Sequence, residues 1–280
     1  MNILNGGKHA SLSSDFQEYM IIPLGFENYS DAINCCVKIY WTIKSHLESN
    51  GNSTSVGDEG GFVSPYNNNE EPLKLIMKCI EKAGYKPGVE VFIGLDVAAS
   101  ELIENNKYKI MQNNKNNYMT SDELLNFYIH LVTNYRIKSI EDPFDQDDWG
   151  NWTKLNKAIG SQVQIVGDDL LVTSINKIKT SISKNSANTV LIKPNQIGTI
   201  SETLDAISFA HENNLNTIIS HRSGDTEDSF IADLAIGTQA TQIKSGAPAR
   251  SERTAKYNRI SEIIAQNKNT NYLGLKAMKI

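Results

Sequence analysis

Charged side chains stand at the ends of six successive apolar runs of the sequence. In chain order they are Asp96, Glu141, Asp168, Lys193, His221 and Lys244. A charge at the end of an apolar strand is costly unless it faces other charges or a ligand. Grouped carboxylates repel one another unless a cation lies among them, and hard oxygen ligands with room for water favour Mg²⁺. We therefore expect Asp96, Glu141 and Asp168 to hold a magnesium ion; the alternative is that each caps the helix that follows it.

The two lysines of this series suggest proton transfer. A lysine that is crowded by another cation and partly desolvated loses proton affinity and becomes a base near neutral pH. Lys193 and Lys244 are candidates, although each could instead simply neutralise the carboxylates. A second acid, Glu59, lies in the glycine-rich segment 57–62, where the backbone could approach a ligand closely or form a plain turn.

Hydrogen-bond donors suited to a phosphate follow the seventh apolar run. His221 is succeeded by Arg222 and Ser223, which supply a bidentate donor and a hydroxyl. Three further polar residues lie near the first two runs, namely His9, Gln17 and Glu18. Together these groups suit removal of a proton next to a carboxylate, with Mg²⁺ stabilising the charge that develops.

Eight short runs rich in Ile and Val predict the strands that position these groups. They cover residues 1–5, 19–24, 91–97, 137–143, 163–169, 189–195, 217–221 and 242–247. Helical spacing or capping boxes predict helices over 31–48, 72–84, 120–134 and 199–212. The Asn-rich segment 105–119 reads as an exposed hairpin. The order ββαα(βα)₆, with strands covered on both faces, predicts an α/β fold of the (β/α)₈ TIM barrel type, in which strand ends converge on one active-site mouth.

Composition limits the class of protein. The chain has 280 residues, with 27 Lys+Arg against 32 Asp+Glu and a net charge of −5. An acidic chain without a basic cluster is a poor candidate for binding nucleic acid or a membrane surface. Three cysteines cannot all pair, no apolar run approaches a membrane span, and the first residues lack a signal-peptide layout. We expect a cytoplasmic protein with buried thiols.

Long strings of the sequence resemble enolase (phosphopyruvate hydratase). They are NILNGGKHA, QEYMIIP, VGDEGGF, GLDVAASE, SIEDPFDQDDW, QIVGDDLLVT, LIKPNQIGT, SHRSGDTEDSFIADLA and QIKSGAPARSERTAKYN. The resemblance implies a lyase of glycolysis that reversibly dehydrates 2-phosphoglycerate to phosphoenolpyruvate with Mg²⁺. It assigns residues to three groups: catalytic (Glu59, Lys193, Glu18, His221), substrate-binding (His9, Gln17, Glu18, Lys193, Arg222, Ser223, Lys244) and metal-binding (Asp96, Glu141, Asp168). Within these, Lys193 takes the C2 proton and Glu59 protonates the departing hydroxyl.

The resemblance also shapes the expected domain organisation. Enolases carry an N-terminal α+β domain before the barrel, and this domain supplies a lid, a second Mg²⁺ site and much of the dimer contact. The chain starts at the first barrel strand, so we expect a single barrel domain over 1–280 without that part, and its oligomeric state stays open. Two functions follow: a working enolase, or a barrel fragment with little activity alone that needs a separate N-terminal piece or acts as a binding remnant. A sugar-acid dehydratase of the same superfamily is disfavoured because the second strand carries no paired lysines.

Overall fold

The computed structural model describes residues 1–9 (residue 9 by its backbone only), 13–112, 115–267 and 269–280. Its main sheet contains nine strands: β1 (Asn2–Asn5), β2 (Glu18–Ile22), β3 (Phe62–Val63), β4 (Phe92–Asp96), β8 (Ile137–Glu141), β9 (Gln164–Gly167), β10 (Thr189–Ile192), β11 (Asn216–Ser220) and β12 (Gln242–Lys244). Their order is β12-β11-β10-β9-β8-β4-β2-β1-β3. All eight predicted strands are present, and the two-residue β3 is an addition.

The sheet is parallel except around β2, which runs antiparallel to both β1 and β4. From β4 to β12 every neighbouring pair is parallel. A backbone hydrogen bond of 2.9 Å from Ala247 N to Glu59 O brings the loop after β12 against the loop before β3. The two edges of the strand order therefore meet, and the curled sheet forms the predicted barrel.

Nine α-helices cover the outside of the sheet in the described part of the chain. They are α1 (Tyr29–Ser49), α2 (Glu71–Lys82), α3 (Ser121–Tyr135), α4 (Trp149–Ile159), α5 (Ile175–Lys184), α6 (Pro194–Ile197), α7 (Ile200–Glu212), α8 (Phe230–Gly237) and α9 (Ser251–Gln266). The four predicted helices correspond to α1, α2, α3 and α7. None of the helices in the described residues combines the length and apolar character needed to cross a membrane.

The two predicted capping boxes differ in detail. At α3 the box is complete, because the Thr120 hydroxyl accepts the Glu123 N–H and the Glu123 carboxylate accepts the Thr120 N–H at 2.8 Å. At α7 the Thr199 hydroxyl accepts the Glu202 N–H, but the Glu202 carboxylate accepts the Thr199 hydroxyl at 2.6 Å. Only half of the expected box forms there, since the carboxylate binds the side chain of the cap.

Apolar residues separate into two layers because side chains alternate across each strand. Ile165, Val190 and Ile219 belong to the large core beneath the helices. Val166, Leu191 and Ile218 form a small separate cluster, as expected for residues facing the inside of the barrel. All three cysteines are buried and unpaired, in agreement with the expected thiols.

The Asn-rich segment forms the expected hairpin. A separate three-stranded antiparallel sheet is built from β5 (Ile103–Glu104), β6 (Lys107–Gln112) and β7 (Lys115–Met119). Asn105 and Asn106 turn the chain between β5 and β6 with φ of 53° and 60°, in the left-handed region that Asn tolerates.

Strand register brings charged residues to one end of the barrel. Glu18 is paired with Asp96, and Asp96 is paired with Glu141 on the next strand. On the other side Ser220 is paired with Lys244. Each of these residues ends or begins its strand at the same rim, so three strands present their acids side by side.

Candidate active site

A cavity of about 220 Å³ opens at this rim. Its wall includes every predicted site residue except Glu141 and His9. Glu141 lies behind Lys244, to which both of its oxygens are bonded, and the side chain of His9 lies outside what the structure describes. Further lining residues that the sequence did not single out for this cavity are Ala98, Glu101, Asp142, Asp169 and Ser220.

Lys244 links the acids of three strands. Its ammonium lies 2.9 Å from Asp96 Oδ2, 2.9 Å from both oxygens of Glu141 and 3.3 Å from Glu18 Oε1. All four side chains are buried. Burial lowers the pKa of Lys244, but the surrounding carboxylates outweigh it and hold the pKa well above its ordinary value. The lysine is therefore a fixed cation in this structure, which matches its predicted neutralising alternative.

The single positive charge of Lys244 does not compensate the negative charges of the acids around it. Burial, together with the charge of Glu59, raises the pKa of Glu18 well above its ordinary value. Burial and the charge of Asp96 likewise raise the pKa of Glu141 well above its ordinary value. Burial also acts on Asp96, but the ammonium of Lys244 outweighs it and the pKa of Asp96 is lowered. Burial is the largest cause of both raised values, and three buried carboxylates share the single ammonium of Lys244, so negative charge is in surplus here.

Lys193 is bound differently from the expectation. Its ammonium donates to Asp168 Oδ2, and Gln196 holds the other oxygen of Asp168 at 3.0 Å. Burial lowers the pKa of Lys193, but the charges of Asp168 and Glu141 outweigh burial, and the pKa is raised. In this arrangement the carboxylates act more strongly on Lys193 than the second cation does, and the expected loss of proton affinity stays a prediction.

The carboxylate oxygens that lie closest together differ from the predicted metal set. In the described part of the chain, oxygens of Asp142, Asp168 and Asp169 all lie within 4.8 Å of one another. Asp142, however, already accepts the backbone N–H groups of Asp168 and Asp169, each at 2.9 Å. It therefore fixes the turn after β9 and orients the backbone that carries Asp168 and Asp169. Asp96 and Glu141 are drawn towards Lys244 instead, and the predicted set Asp96, Glu141 and Asp168 stays a prediction.

Glu59 is buried in a loop that hydrogen bonds tie to neighbouring parts of the barrel. We call residues 57–61 the Glu59 loop. The Glu59 carboxylate accepts hydrogen bonds from Asn2 Nδ2 at 2.9 Å and from Ser223 Oγ at 3.1 Å. It also lies 3.6 Å from His221 Nε2. Tyr40 donates to the Gly60 carbonyl at 2.8 Å. Gly60 has a φ of 81°, so the loop needs glycine there.

The predicted phosphate donors lie on the opposite loop, residues 221–226, which we call the His221 loop. The Arg222 guanidinium is exposed and donates to Asn195 Oδ1 at 2.9 Å, and Arg222 also lines the cavity. Two buried cations of α9 anchor this loop, Arg253 and Lys256. Neither of them was predicted from the sequence, and nor were Asn2 and Gln196, because nothing in a polar helix or at the start of a strand marks a residue as buried.

The residues present fit a divalent cation. Among the described atoms, Glu18 Oε2 is buried and has no hydrogen-bond partner. The acids at the rim outnumber the two lysines, and all of the acidic donors are hard oxygen ligands. A divalent ion bound among these acids would compensate their surplus of negative charge.

Comparisons with known proteins agree with the sequence patterns. A family model described as the C-terminal TIM barrel domain of enolase matches residues 1–280. Curated enolases of Helicobacter pylori (strain J99) and Helicobacter acinonychis (strain Sheeba) are 51% and 50% identical to the whole chain, which spans 65% of each. The enolase of a Nitratiruptor species is 49% identical over 94% of this chain and 62% of its own length. The chain therefore spans about two thirds of the length of these relatives.

Proposed function

The chain belongs to the family of enolase C-terminal TIM barrel domains, and from this premise we propose that its cavity carries out the Mg²⁺-dependent, reversible dehydration of 2-phosphoglycerate to phosphoenolpyruvate. One observation supports this reaction above all. The ends of the barrel strands gather a surplus of buried carboxylates and two lysines at a single cavity of about 220 Å³. Such a site suits an anionic substrate whose reaction develops further negative charge, provided a cation is bound.

We assign the cation to Asp96, Glu141 and Asp168. When bound, Mg²⁺ supplies positive charge beside the substrate carboxylate and lowers the cost of removing the neighbouring proton. Glu18 and Asp169 add negative charge to the same wall of the cavity. Asp142 orients the backbone that presents Asp168.

Lys193 is the proposed base for the C2 proton of 2-phosphoglycerate. In the structure its ammonium is held by Asp168, whose charge raises its pKa. If Asp168 held the cation, Lys193 would lose this partner, and burial and the neighbouring cation Lys244 would then lower its proton affinity. The lysine is thereby prepared to accept a proton near neutral pH.

Glu59 is the proposed acid that protonates the departing hydroxyl. It lies across the cavity wall in the company of Ser223 and His221. Arg222 and Ser223 are assigned to the phosphate, and Lys244 to the substrate carboxylate, because these are the cationic and hydroxyl donors that line the cavity. Gln17, Glu18 and His221 complete the substrate-contacting set, together with His9.

A second candidate concerns residues 1–280 taken alone, which span about 65% of the length of their relatives. In this alternative the barrel binds Mg²⁺ but turns over little until a separate N-terminal piece is supplied. From the family we also propose that the protein acts in cytoplasmic glycolysis and that it forms a dimer.

Formation of phosphoenolpyruvate, followed by its ultraviolet absorbance, tests the proposal. The assay uses the chain alone and the chain mixed with the N-terminal part of the Helicobacter pylori enolase, each with Mg²⁺ and 2-phosphoglycerate. We expect slow turnover by the chain alone and faster turnover by the mixture; equal, full-rate turnover would remove the second function, and none in either would remove the first.

The variant Lys193→Ala separates chemistry from binding. It should abolish turnover and leave Mg²⁺ binding measurable by calorimetry, because an assigned base is not a metal ligand. Lys138→Ala, on the same strand as Glu141 but outside the cavity, serves as the matched control. Loss of both properties in Lys193→Ala would show that this lysine is structural.

A further inference from the structure

Arg253 on α9 is a buried arginine that joins the two loops carrying the proposed acid and the phosphate donors. Its side chain is 1% exposed. One terminal nitrogen donates to His221 Nδ1 at 2.5 Å and to the Arg222 carbonyl at 2.7 Å. The other donates to the Ser223 carbonyl at 2.6 Å and to the Asp58 carbonyl at 3.0 Å. All four hydrogens of the two terminal nitrogens are thus used, three on the His221 loop and one on the Glu59 loop.

The contact with His221 fixes where the imidazole carries its proton. A guanidinium has five N–H donors, no acceptor, and remains charged at every accessible pH. The Nδ1 atom must therefore accept, so it carries no proton, and the ring is neutral with its hydrogen on Nε2. Burial first, and then the charge of Arg253, lower the pKa of His221 to about 3 against the opposing charge of Glu59. The ring stays neutral throughout the physiological range.

The Nε2 atom that bears this hydrogen belongs to a residue that lines the cavity. It is buried and, among the described residues, makes no hydrogen bond. Its nearest acidic neighbour is Glu59 Oε1, at 3.6 Å. His221, Glu59 and Ser223 line the same cavity. A donor held at this distance shortens its contact when charge develops on the carboxylate.

We propose that Arg253 is a positioning residue that holds His221 as the neutral Nε2–H tautomer and directs this hydrogen at Glu59, while it ties the Glu59 loop to the His221 loop. Its consequence for catalysis rests on the proposed function: the carboxylate that remains when Glu59 gives its proton to the leaving hydroxyl is stabilised by the Nε2–H donor. His221 then neither charges nor accepts a proton in the reaction.

Lys256 provides a matched comparison on the same helix. It is as buried as Arg253, at 1% exposure, and it anchors the same loop through Asp225 Oδ1 at 3.1 Å and the Thr226 carbonyl. Among the described residues it makes no hydrogen bond to His221 or to the Glu59 loop. Variants of Lys256 and Arg253 can therefore distinguish the loss of a structural anchor from the loss of the residue that fixes the His221 tautomer.

The test is nitrogen-15 NMR of histidine-labelled chain, with the His221 signals assigned by their loss in His221→Gln. The wild-type chain should show His221 Nδ1 without a proton and Nε2 with one, unchanged from about pH 5 to pH 8, the range in which an ordinary histidine titrates. A protonated Nδ1, or titration within that range, would overturn the proposal. This measurement needs neither a variant of Arg253 nor catalytic activity, so it is independent of whether the chain is an enolase.

Variants then test the cause. Arg253→Lys keeps the charge but cannot span four acceptors, so we expect the His221 signals to shift and phosphoenolpyruvate formation to fall by about ten- to a hundredfold. Lys256→Met should lower thermal stability and leave the His221 tautomer unchanged. If Arg253→Lys left the His221 signals where they are, or if Lys256→Met moved them equally, Arg253 would be only a structural anchor. A correct His221 tautomer, with no turnover by the chain either alone or mixed with the N-terminal part of the Helicobacter pylori enolase, would refute the proposed function and leave the tautomer assignment intact.

Discussion

Replacing Lys244 by methionine should destabilise the chain strongly at neutral pH. Methionine keeps most of the length of the side chain and removes the ammonium that lies 2.9–3.3 Å from Glu18, Asp96 and Glu141. Removing one partner of a buried ion pair costs about 3–5 kcal/mol, because the other partner stays buried and uncompensated. Since a typical domain has a net stability of about 5–15 kcal/mol, the variant should lose much of its free energy of unfolding.

The loss of folding stability in Lys244→Met should depend on pH. The pKa of Lys244 is raised in the folded chain, so its contribution is complete below its ordinary value of 10.5 and is lost only as the pH rises through the raised value. Glu18 and Glu141 also have raised pKa values, so they favour the folded state below 4.5 and oppose it as the pH rises. Without the ammonium these acids hold their protons still more tightly, and the deficit of the variant should shrink as the pH falls from 7 towards 5.

Urea unfolding followed by circular dichroism measures this deficit at the two pH values in the presence of a chelator. A parallel series with Mg²⁺ should raise the midpoint of the variant, because a cation that binds the folded state alone stabilises it. Lys154→Met is the control, since Lys154 is exposed and pairs with Asp122 at 2.8 Å, a surface ion pair worth about 0–1 kcal/mol. A loss that is the same at both pH values, or no larger than that of Lys154→Met, would refute the reasoning.

Two further predictions concern the scaffold. Thr120→Ala should lower the free energy of unfolding by about 1 kcal/mol, because it removes a complete capping box. Thr199→Ala should lower it less, because the box at α7 is only half formed. Chemical denaturation of the two variants measures both losses. Gly246→Ala should lower both stability and turnover: Gly246 has a φ of 74°, and an added Cβ lies 2.6 Å from the Glu59 carbonyl and 2.9 Å from Arg253 Cδ. Gly150→Ala, with nothing within 4 Å of the added Cβ, should be neutral or stabilising in thermal denaturation; the same loss in both glycine variants would contradict the steric argument.

Strand positions were predictable because continuous apolar runs and the charges that end them are both visible in the chain. Parallel strands in a barrel meet at one rim, so residues as distant as Asp96 and Lys244 could be expected at the same site, and they are 2.9 Å apart. The short strand β3 was not predictable, since two residues carry no periodicity.

Pairing among the charges could not be predicted. Which acid each lysine contacts depends on side-chain reach and on the stagger of the strands, neither of which a single sequence shows. Arg253 and Lys256 escaped notice for a related reason: charged residues in a helix are usually solvated, and these two are buried only because a loop folds over them. The positive φ of 69° at Arg250, just before α9, likewise has no signature in the sequence.

Calorimetric titration of the chain with Mg²⁺ tests most directly whether the acids at the strand ends form a cation site. We expect saturable binding to the wild-type chain that weakens at least tenfold in Asp96→Asn and in Asp168→Asn. Binding should be unchanged in Asp122→Asn, whose side chain is exposed outside the cavity. Equal affinity in all four proteins, or no binding to the wild-type chain, would contradict it.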